Sequence, residues 1–452
     1  MSATHFDVIV IGTGPAASTV AENANEDGRR VAIVEAREFG GTCALRGCNP
    51  KKVYVNAADL IDRSRAANGK LIDAERLAIN WPQLLSFKRE FTDPVVEKSE
   101  RSYLKKGMAT FHGQASFDGP DAILVNNVRL TADRLFIGSG ARPRPLDIPG
   151  GERAIHSDAF LELAEIPSRV VFIGGGYISM EFACVVARSG SEVTVLQQEE
   201  HVLSPFDADL VSQLVEYSAR HGINIHTSSQ VNAIESSGDA AMKVRYEQSG
   251  EEKWGEADLV VHGAGRIPNV CDLNLKAGEI EYSDRGITVD EFMRSVSNPR
   301  VYAAGDCADT GKPMLTPTAN EEARIVAKNL FAESPSRRPD YGVIPQVAFT
   351  VPAIAAIGLS ESEAKRSFDV DVRHADTSGW NSVRKSCQEC SGYKVLVDKQ
   401  TDRILGAHLL GPSAEETINL FALAMKHDLT ATDLKSTLFA FPTFASDVRQ
   451  MV

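Results

Sequence analysis

The chain has 452 residues, 43% hydrophobic and 24% charged, an ordinary globular composition with room for about three domains. A net charge of −13, with no lysine- or arginine-rich block to meet phosphates, argues against nucleic acid as a main partner. No apolar run approaches the roughly 20 residues that cross a bilayer, and "MSATHFDVIVIGTG" enters a strand with no basic n-region or cleavage site, so a cytoplasmic protein without membrane contact is expected.

Phe6 to Ile11 is an apolar run interrupted only by Asp7 and reads as a strand. Gly12-Thr13-Gly14-Pro15-Ala16-Ala17 follows, then a helix-compatible stretch to Asp27 and a second strand, "VAIVE", ending at Glu35. This is the order of a dinucleotide-binding unit. Gly12 and Gly14 let backbone amides approach a pyrophosphate at the helix that Pro15 opens and Ala17 packs, and Glu35 stands where a ribose hydroxyl would sit.

"GGTCALRGCNPKK" (40–52) then sets Cys43 and Cys48 five positions apart. Seven cysteines are too few for a disulfide-stapled secreted fold. A metal site normally needs four ligands, and no histidine lies between Cys48 and His112. Redox chemistry is the leading reading, ahead of a metal or a structural bridge.

The dinucleotide pattern recurs in "RVVFIGGGYISMEFACVVARSGSEVTVLQQ": a strand to Ile173, the turn Gly174-Gly175-Gly176, a helix through Ala187, and a strand from Val193 to Leu196. Two such units imply two dinucleotides, hence electron transfer between a bound flavin and a nicotinamide. The second unit ends in Gln197-Gln198, then Glu199 and Glu200, and no arginine lies between Arg188 and Arg220 to meet a 2′-phosphate. NADH is expected over NADPH. Further on, Cys387-Gln388-Glu389-Cys390 offers a second dithiol or a metal half-site, with a turn holding incidental thiols as the default. His408, in "LGAHLLG", reads as core packing.

In this order, these motifs resemble the FAD-dependent pyridine nucleotide–disulfide oxidoreductases, the group of glutathione reductase, lipoamide dehydrogenase and mercuric reductase. The resemblance covers nearly the whole chain. "LFIGSGARPRPLDIPG" (135–150), with Gly140, is similar to that family's crossing into its NAD domain, and "GAGRIPN" (263–269), with Gly265 and Arg266, to the return. "VYAAGDCA" (301–308) resembles the strand whose Gly305-Asp306 meets the flavin ribitol; "LTPTANEEAR" (315–324) resembles the segment whose Thr316 and Pro317 face the flavin ring. "IPQVAFTVPAIAAIGLSESEA" (344–364) resembles the opening of the homodimer-interface domain, with 333–340 as the linker before it.

The fold so implied is α/β, with two Rossmann-like nucleotide-binding domains and a C-terminal α+β dimerisation domain. Residues 1–150 and 270–335 would form the FAD-binding domain, 151–269 the NAD(P)-binding domain and 336–452 the interface. The resemblance also implies FAD and NADH (or NADPH) as cofactors, with Gly41, Thr42 and Lys52 among the cofactor contacts. Cys43 and Cys48 would form a redox-active disulfide, Cys48 giving the thiolate beside the flavin and Cys43 the thiol that attacks substrate. Lys51, or Lys52, would pair with Glu181 near the flavin, and the Tyr177 ring would move aside for nicotinamide. A regular helix would separate the two cysteines by about 7.5 Å along its axis, beyond the roughly 4.4–6.8 Å that a disulfide prefers. The turn must therefore be distorted, and Gly47 permits it. Pro50 fits the first turn of the following helix, which leaves Cys48 near a helix N-terminus where a thiolate is favoured. Arg46 is expected to be a solvated surface arginine.

The C-terminus departs from the family. Its His-Pro-Thr, followed by a glutamate, is replaced in "FAFPTFASDVRQMV" by Phe441, with Pro442 and Thr443 kept and Ser446 at the glutamate position. Phenylalanine cannot shuttle a proton, and Asp447, one residue late, would be rotated by about 100°. The expected enzyme passes electrons from NAD(P)H through FAD to the dithiol and on to a small sulfur-containing substrate, a disulfide or thioether. The alternatives are C–S cleavage of the kind catalysed by 2-ketopropyl-coenzyme M oxidoreductase/carboxylase, which also carries phenylalanine there, and a diaphorase or quinone reductase.

Overall fold

The computed structural model describes residues 4–238 and 241–452, so the first three residues of the N-terminal reading lie outside it. The chain divides into two compact units, residues 1–50, 89–144 and 265–341 in one, and 51–88, 145–264 and 342–452 in the other.

The first unit is built on a seven-stranded sheet. Ala109–His112, Val31–Glu35, Thr4–Ile11 and Val128–Ile137 lie parallel in that order. Val128–Ile137 also pairs through its first half with the antiparallel strand Ala122–Val125, and through Leu135 to Ile137 with the parallel strand Val301–Ala303. Val8, Ile9, Val10 and Ile11 are buried without alternation, as parallel strands covered on both faces require. The helices Pro15–Glu26 and Thr316–Asn329 pack against each other, burying Ala17, Val20, Ala21, Ala323 and Val326.

The second unit holds the other parallel sheet, ordered Ile223–His226, Glu192–Leu196, Arg169–Ile173 and Leu259–His262. The helix Tyr177–Arg188 follows its glycine turn and is buried almost all round. A three-stranded antiparallel meander (Ser229–Ser236, Met242–Gln248, Glu251–Ala257) interrupts this βαβ pattern. The C-terminal part is a five-stranded antiparallel sheet, from Gln346–Ala348 to Val370–Asp376, with the helices Ala414–Lys426 and Phe444–Met451 completing its core. The architecture is thus α/β with two Rossmann-like regions and a C-terminal α+β region. Among the described residues, no helix is long and apolar enough to cross a membrane.

Candidate active site

Each glycine turn is forced by steric closeness. Gly12 has φ +104°, and a Cβ there would lie 2.4 Å from the Gly138 carbonyl oxygen. A Cβ on Gly41 would lie 2.4 Å from the Gly14 Cα, so the backbone after the second strand runs directly against the first turn. Gly14 then caps the helix that starts with Pro15, whose fixed φ suits a first-turn position. Glu35 is held at the end of its strand: its Oε2 accepts from the Thr13 hydroxyl at 2.5 Å and its Oε1 from the Arg37 amide at 3.0 Å. Thr13, whose hydroxyl also accepts from the Gly40 amide, was not singled out in the sequence, because a residue inside a glycine turn carries no pattern of its own.

The cysteine segment follows at once. Gly41–Leu45 is one short helix, the chain breaks direction at Arg46 (φ −146°), and Cys48–Ala67 is the next helix. The distortion expected between the cysteines is this break. A Cβ on Gly47 would sit 2.8 Å from the Thr42 carbonyl oxygen and 3.3 Å from the Cys43 Cα, so only glycine closes the turn. Both cysteines are thiols here, Cys43 half-buried and Cys48 exposed. Their sulfurs meet at one hydroxyl: Thr316 Oγ1 donates to Cys43 Sγ at 3.5 Å and lies 3.8 Å from Cys48 Sγ. Hydrogen bonding to Cys48, then burial, pushes the Cys43 thiol well above its ordinary pKa, while the Thr316 hydroxyl pulls it down. Arg46 corrects the expectation of a solvated side chain. It is 12% exposed, and its Nη1 donates to Glu38 Oε2 at 2.7 Å, because the reversal at Arg46 turns the guanidinium back onto the preceding loop.

Elsewhere in the same unit, a cleft is lined by Arg266, Gly305, Asp306, Thr318 and Glu322. Gly140, Gly265 and Gly305 all adopt positive φ. Burial raises the Asp306 carboxyl above its usual range, with Arg266 opposing. The Gly305 amide donates to Glu322 Oε2 at 2.7 Å, and the Tyr341 hydroxyl to Glu322 Oε1 at 2.9 Å. Glu322 is a positioning residue that sequence reading missed. Its one signal was an acid on the apolar side of an amphipathic helix. The Thr318 hydroxyl, in the lining of this cleft, is buried without a partner among the described residues, which suits a polar ligand there.

In the second unit, the Glu181 side chain is fully buried and takes both lysines, Lys52 Nζ at 2.6 Å and Lys51 Nζ at 3.1 Å, where one partner was expected. Its Oε1 also accepts from the Phe349 amide at 3.0 Å. Burial alone would raise its pKa, but the two ammonium charges and these hydrogen bonds outweigh that and hold the carboxyl below its ordinary value. Lys51 Nζ also sits 4.5 Å from the centre of the Tyr177 ring, which is 41% exposed at the head of its helix. Gly174 has φ +93° and Gly176 caps that helix. Gln197 turns inward: its Oε1 accepts from the Gly175 amide at 2.8 Å and its Nε2 donates to the His201 carbonyl. Gln198, Glu199, Glu200 and His201 line a cavity of about 460 Å³ just past that strand.

At the C-terminus Phe441 is 82% exposed and Leu438 91%. Thr443 and Ser446 form a reciprocal capping box on the helix Phe444–Met451, and Asp447 accepts from the Ser382 hydroxyl. Cys390 is buried, with its thiol pushed up to about 12 chiefly by burial; Cys387 sits in a positive-φ turn. His408 is buried against the Leu359 carbonyl.

Residues 6–323 match the pyridine nucleotide-disulphide oxidoreductase family, and residues 344–452 match its dimerisation domain. The chain belongs to this family. It is similar to the glutathione reductase of Yarrowia lipolytica, 31% identical over 100% of this chain and 99% of that protein. It is also similar to the mercuric reductase of Staphylococcus aureus, 30% identical over 98% of this chain and 81% of that protein. The same fold occurs in the Cu(II) complex of the HOCl-induced flavoprotein disulfide reductase RclA from Escherichia coli, with a TM-score of 0.88 at 24% identity over 100% and 99% of the two chains. A pyridine nucleotide-disulphide oxidoreductase is an enzyme, and the family uses FAD and NAD(P)H.

Proposed function

We propose that Cys43 and Cys48 are the redox pair of this oxidoreductase, cycling between disulfide and dithiol, with Cys43 attacking a small sulfur-containing substrate. The observation that carries this reading is the convergence of both sulfurs on the Thr316 hydroxyl across a turn that only Gly47 can close. Gly12, Gly14, Pro15, Ala17, Glu35, Gly41, Thr42, Gly140, Gly305, Asp306 and Thr316 would hold FAD, and the close-packed glycine turn and the partnerless Thr318 hydroxyl fit that role. Gly174 and Gly176 would hold the nicotinamide dinucleotide, with Tyr177 as the gate, and Gly265 and Arg266 are further cofactor contacts. FAD held by these residues would supply two-electron redox chemistry between the nicotinamide and the cysteine pair. The chain's own part is to place both sulfurs and to favour the thiolate on Cys48, the first residue of a 20-residue helix, where the dipole favours negative charge.

Glu181 would hold Lys51 and Lys52 in fixed positions, since a buried carboxylate bonded from three sides cannot reorient cheaply. NADH is the preferred donor, because the chain past Leu196 offers glutamines and glutamates, and Gln197 is already spent on its own turn. The active form is a homodimer through residues 344–452, in keeping with their match to the dimerisation domain.

A second reading has Phe441 and the relatives behind it. A soft metal ion bound by the two sulfurs needs no proton on a leaving thiolate, and mercuric reductases are among the relatives. Cys43→Ser tests the main proposal: turnover of small disulfides and of Hg(II) should fall at least a hundredfold, while quinone reduction by NADH persists. Disulfide turnover unchanged in Cys43→Ser would overturn it.

A further inference from the structure

We propose that the Thr316 hydroxyl is the proton relay between the Cys43 and Cys48 sulfurs, keeping within the dithiol the proton for which Phe441 provides no acceptor. This rests on the dithiol reading above and deepens it. A hydroxyl has one hydrogen and two lone pairs, so it can accept from one sulfur while donating to the other. Thr316 sits in that arrangement, donating to Cys43 at 3.5 Å and placed 3.8 Å from Cys48, where the thiol can be the donor.

Two polar residues just past Phe441 are engaged elsewhere: Ser446 closes a capping box and Asp447 takes the Ser382 hydroxyl. Two helices add the field. Thr316 opens the 14-residue helix Thr316–Asn329, whose preceding Leu315 makes no side-chain cap, and Cys48 opens the helix Cys48–Ala67. The uncapped amides of the first and the dipoles of both favour negative charge on either sulfur.

The step conserves atoms and charge. In the singly ionised dithiol, Cys43 S–H and Cys48 S⁻ become Cys43 S⁻ and Cys48 S–H. The Cys43 S–H bond breaks as that proton bonds to Thr316 Oγ1. The original Thr316 O–H bond breaks as its proton bonds to Cys48 Sγ. One proton is moved in net, no electrons move, and the threonine ends as a hydroxyl donating to Cys43, as in the structure. Cys43 is thereby activated with its proton parked on Cys48 instead of on an imidazole.

The test uses reduced, FAD-loaded enzyme and measures the iodoacetamide alkylation rate of Cys43 by peptide mass spectrometry from pH 5.5 to 9.5. Thr316→Val removes the hydroxyl and keeps the shape. It should slow Cys43 alkylation at pH 7 about tenfold and raise the apparent thiol pKa by about one unit, a tenfold change in thiolate at fixed pH. Thr316→Ser should stay within twofold of wild type. Thr316→Ala, judged the same way, replaces the valine variant if that one loses FAD. A valine or alanine profile superimposed on wild type would overturn the relay. So would serine slowed as much as valine, because the effect would then belong to the lost methyl group. The readout needs no substrate, so it is separate from the Cys43→Ser turnover assay: normal alkylation chemistry with wild-type turnover in Cys43→Ser would sink the dithiol reading alone.

Discussion

Replacing Glu181 by glutamine keeps the size and one carbonyl oxygen, so the Phe349 amide retains its acceptor, while the carboxylate charge facing Lys51 Nζ and Lys52 Nζ at 3.1 and 2.6 Å is removed. Lys51 is 7% exposed and is left as an uncompensated buried cation; Lys52 is 31% exposed and can rehydrate. Breaking a buried ion pair from one side costs about 3–5 kcal/mol. The hydrogen bond that glutamine keeps and the hydration open to Lys52 reduce this to about 2–3 kcal/mol. Glu181→Ala, which also strands the Phe349 amide, should lose about 1–3 kcal/mol more. Urea midpoints at unchanged slope measure both.

The pH dependence has a definite sign. The folded-state pKa of Glu181 lies below its ordinary value, so its stabilisation is complete above the unfolded pKa and is lost as pH falls through the folded one. The gap between wild type and Glu181→Gln should be flat from about pH 6 to 8 and close in acid, below the ordinary glutamate value of about 4.3. Replacing Glu181, Lys51 and Lys52 together by leucine and methionines should recover much of the loss, since an apolar trio leaves no buried charge. A Glu181→Gln variant within about 0.5 kcal/mol of wild type at pH 7.5, the ordinary range for surface substitutions, would mean that the Lys51 and Lys52 charges do not depend on this carboxylate.

NADH should exceed NADPH in kcat/KM, and Gln198→Arg should narrow the ratio by giving a 2′-phosphate a cation; a wild type that prefers NADPH contradicts this. Phe441→His with Ser446→Glu should raise disulfide turnover, since general acid–base help is typically worth about 10²–10⁴-fold. The double variant should fold normally: Phe441 is 82% exposed, and glutamate is a natural partner for Thr443 in the capping box. No gain in an enzyme with full FAD would show that proton delivery does not limit turnover.

What could be read from the sequence was what local chemistry dictates. Apolar runs ending in glycine turns, twice, specify βαβ units, because strand burial and a tight turn against a helix N-terminus are properties of a few consecutive residues. The break between Cys43 and Cys48 was legible for the same reason: the spacing fits no single helix, and Gly47 is the residue without a Cβ. The absence of an imidazole at Phe441 needed no coordinates. Pairings set by packing could not be read this way. Thr316 meets sulfurs 268 and 273 positions away, Glu181 takes two lysines where one was expected, with Lys52 129 positions distant, and Glu322 reaches the Gly305 amide. Gln197 shows the limit most plainly. It follows the strand, where a dinucleotide unit usually offers a ribose contact, yet its amide oxygen accepts from the Gly175 N–H, a buried backbone donor that is costly to leave unmet.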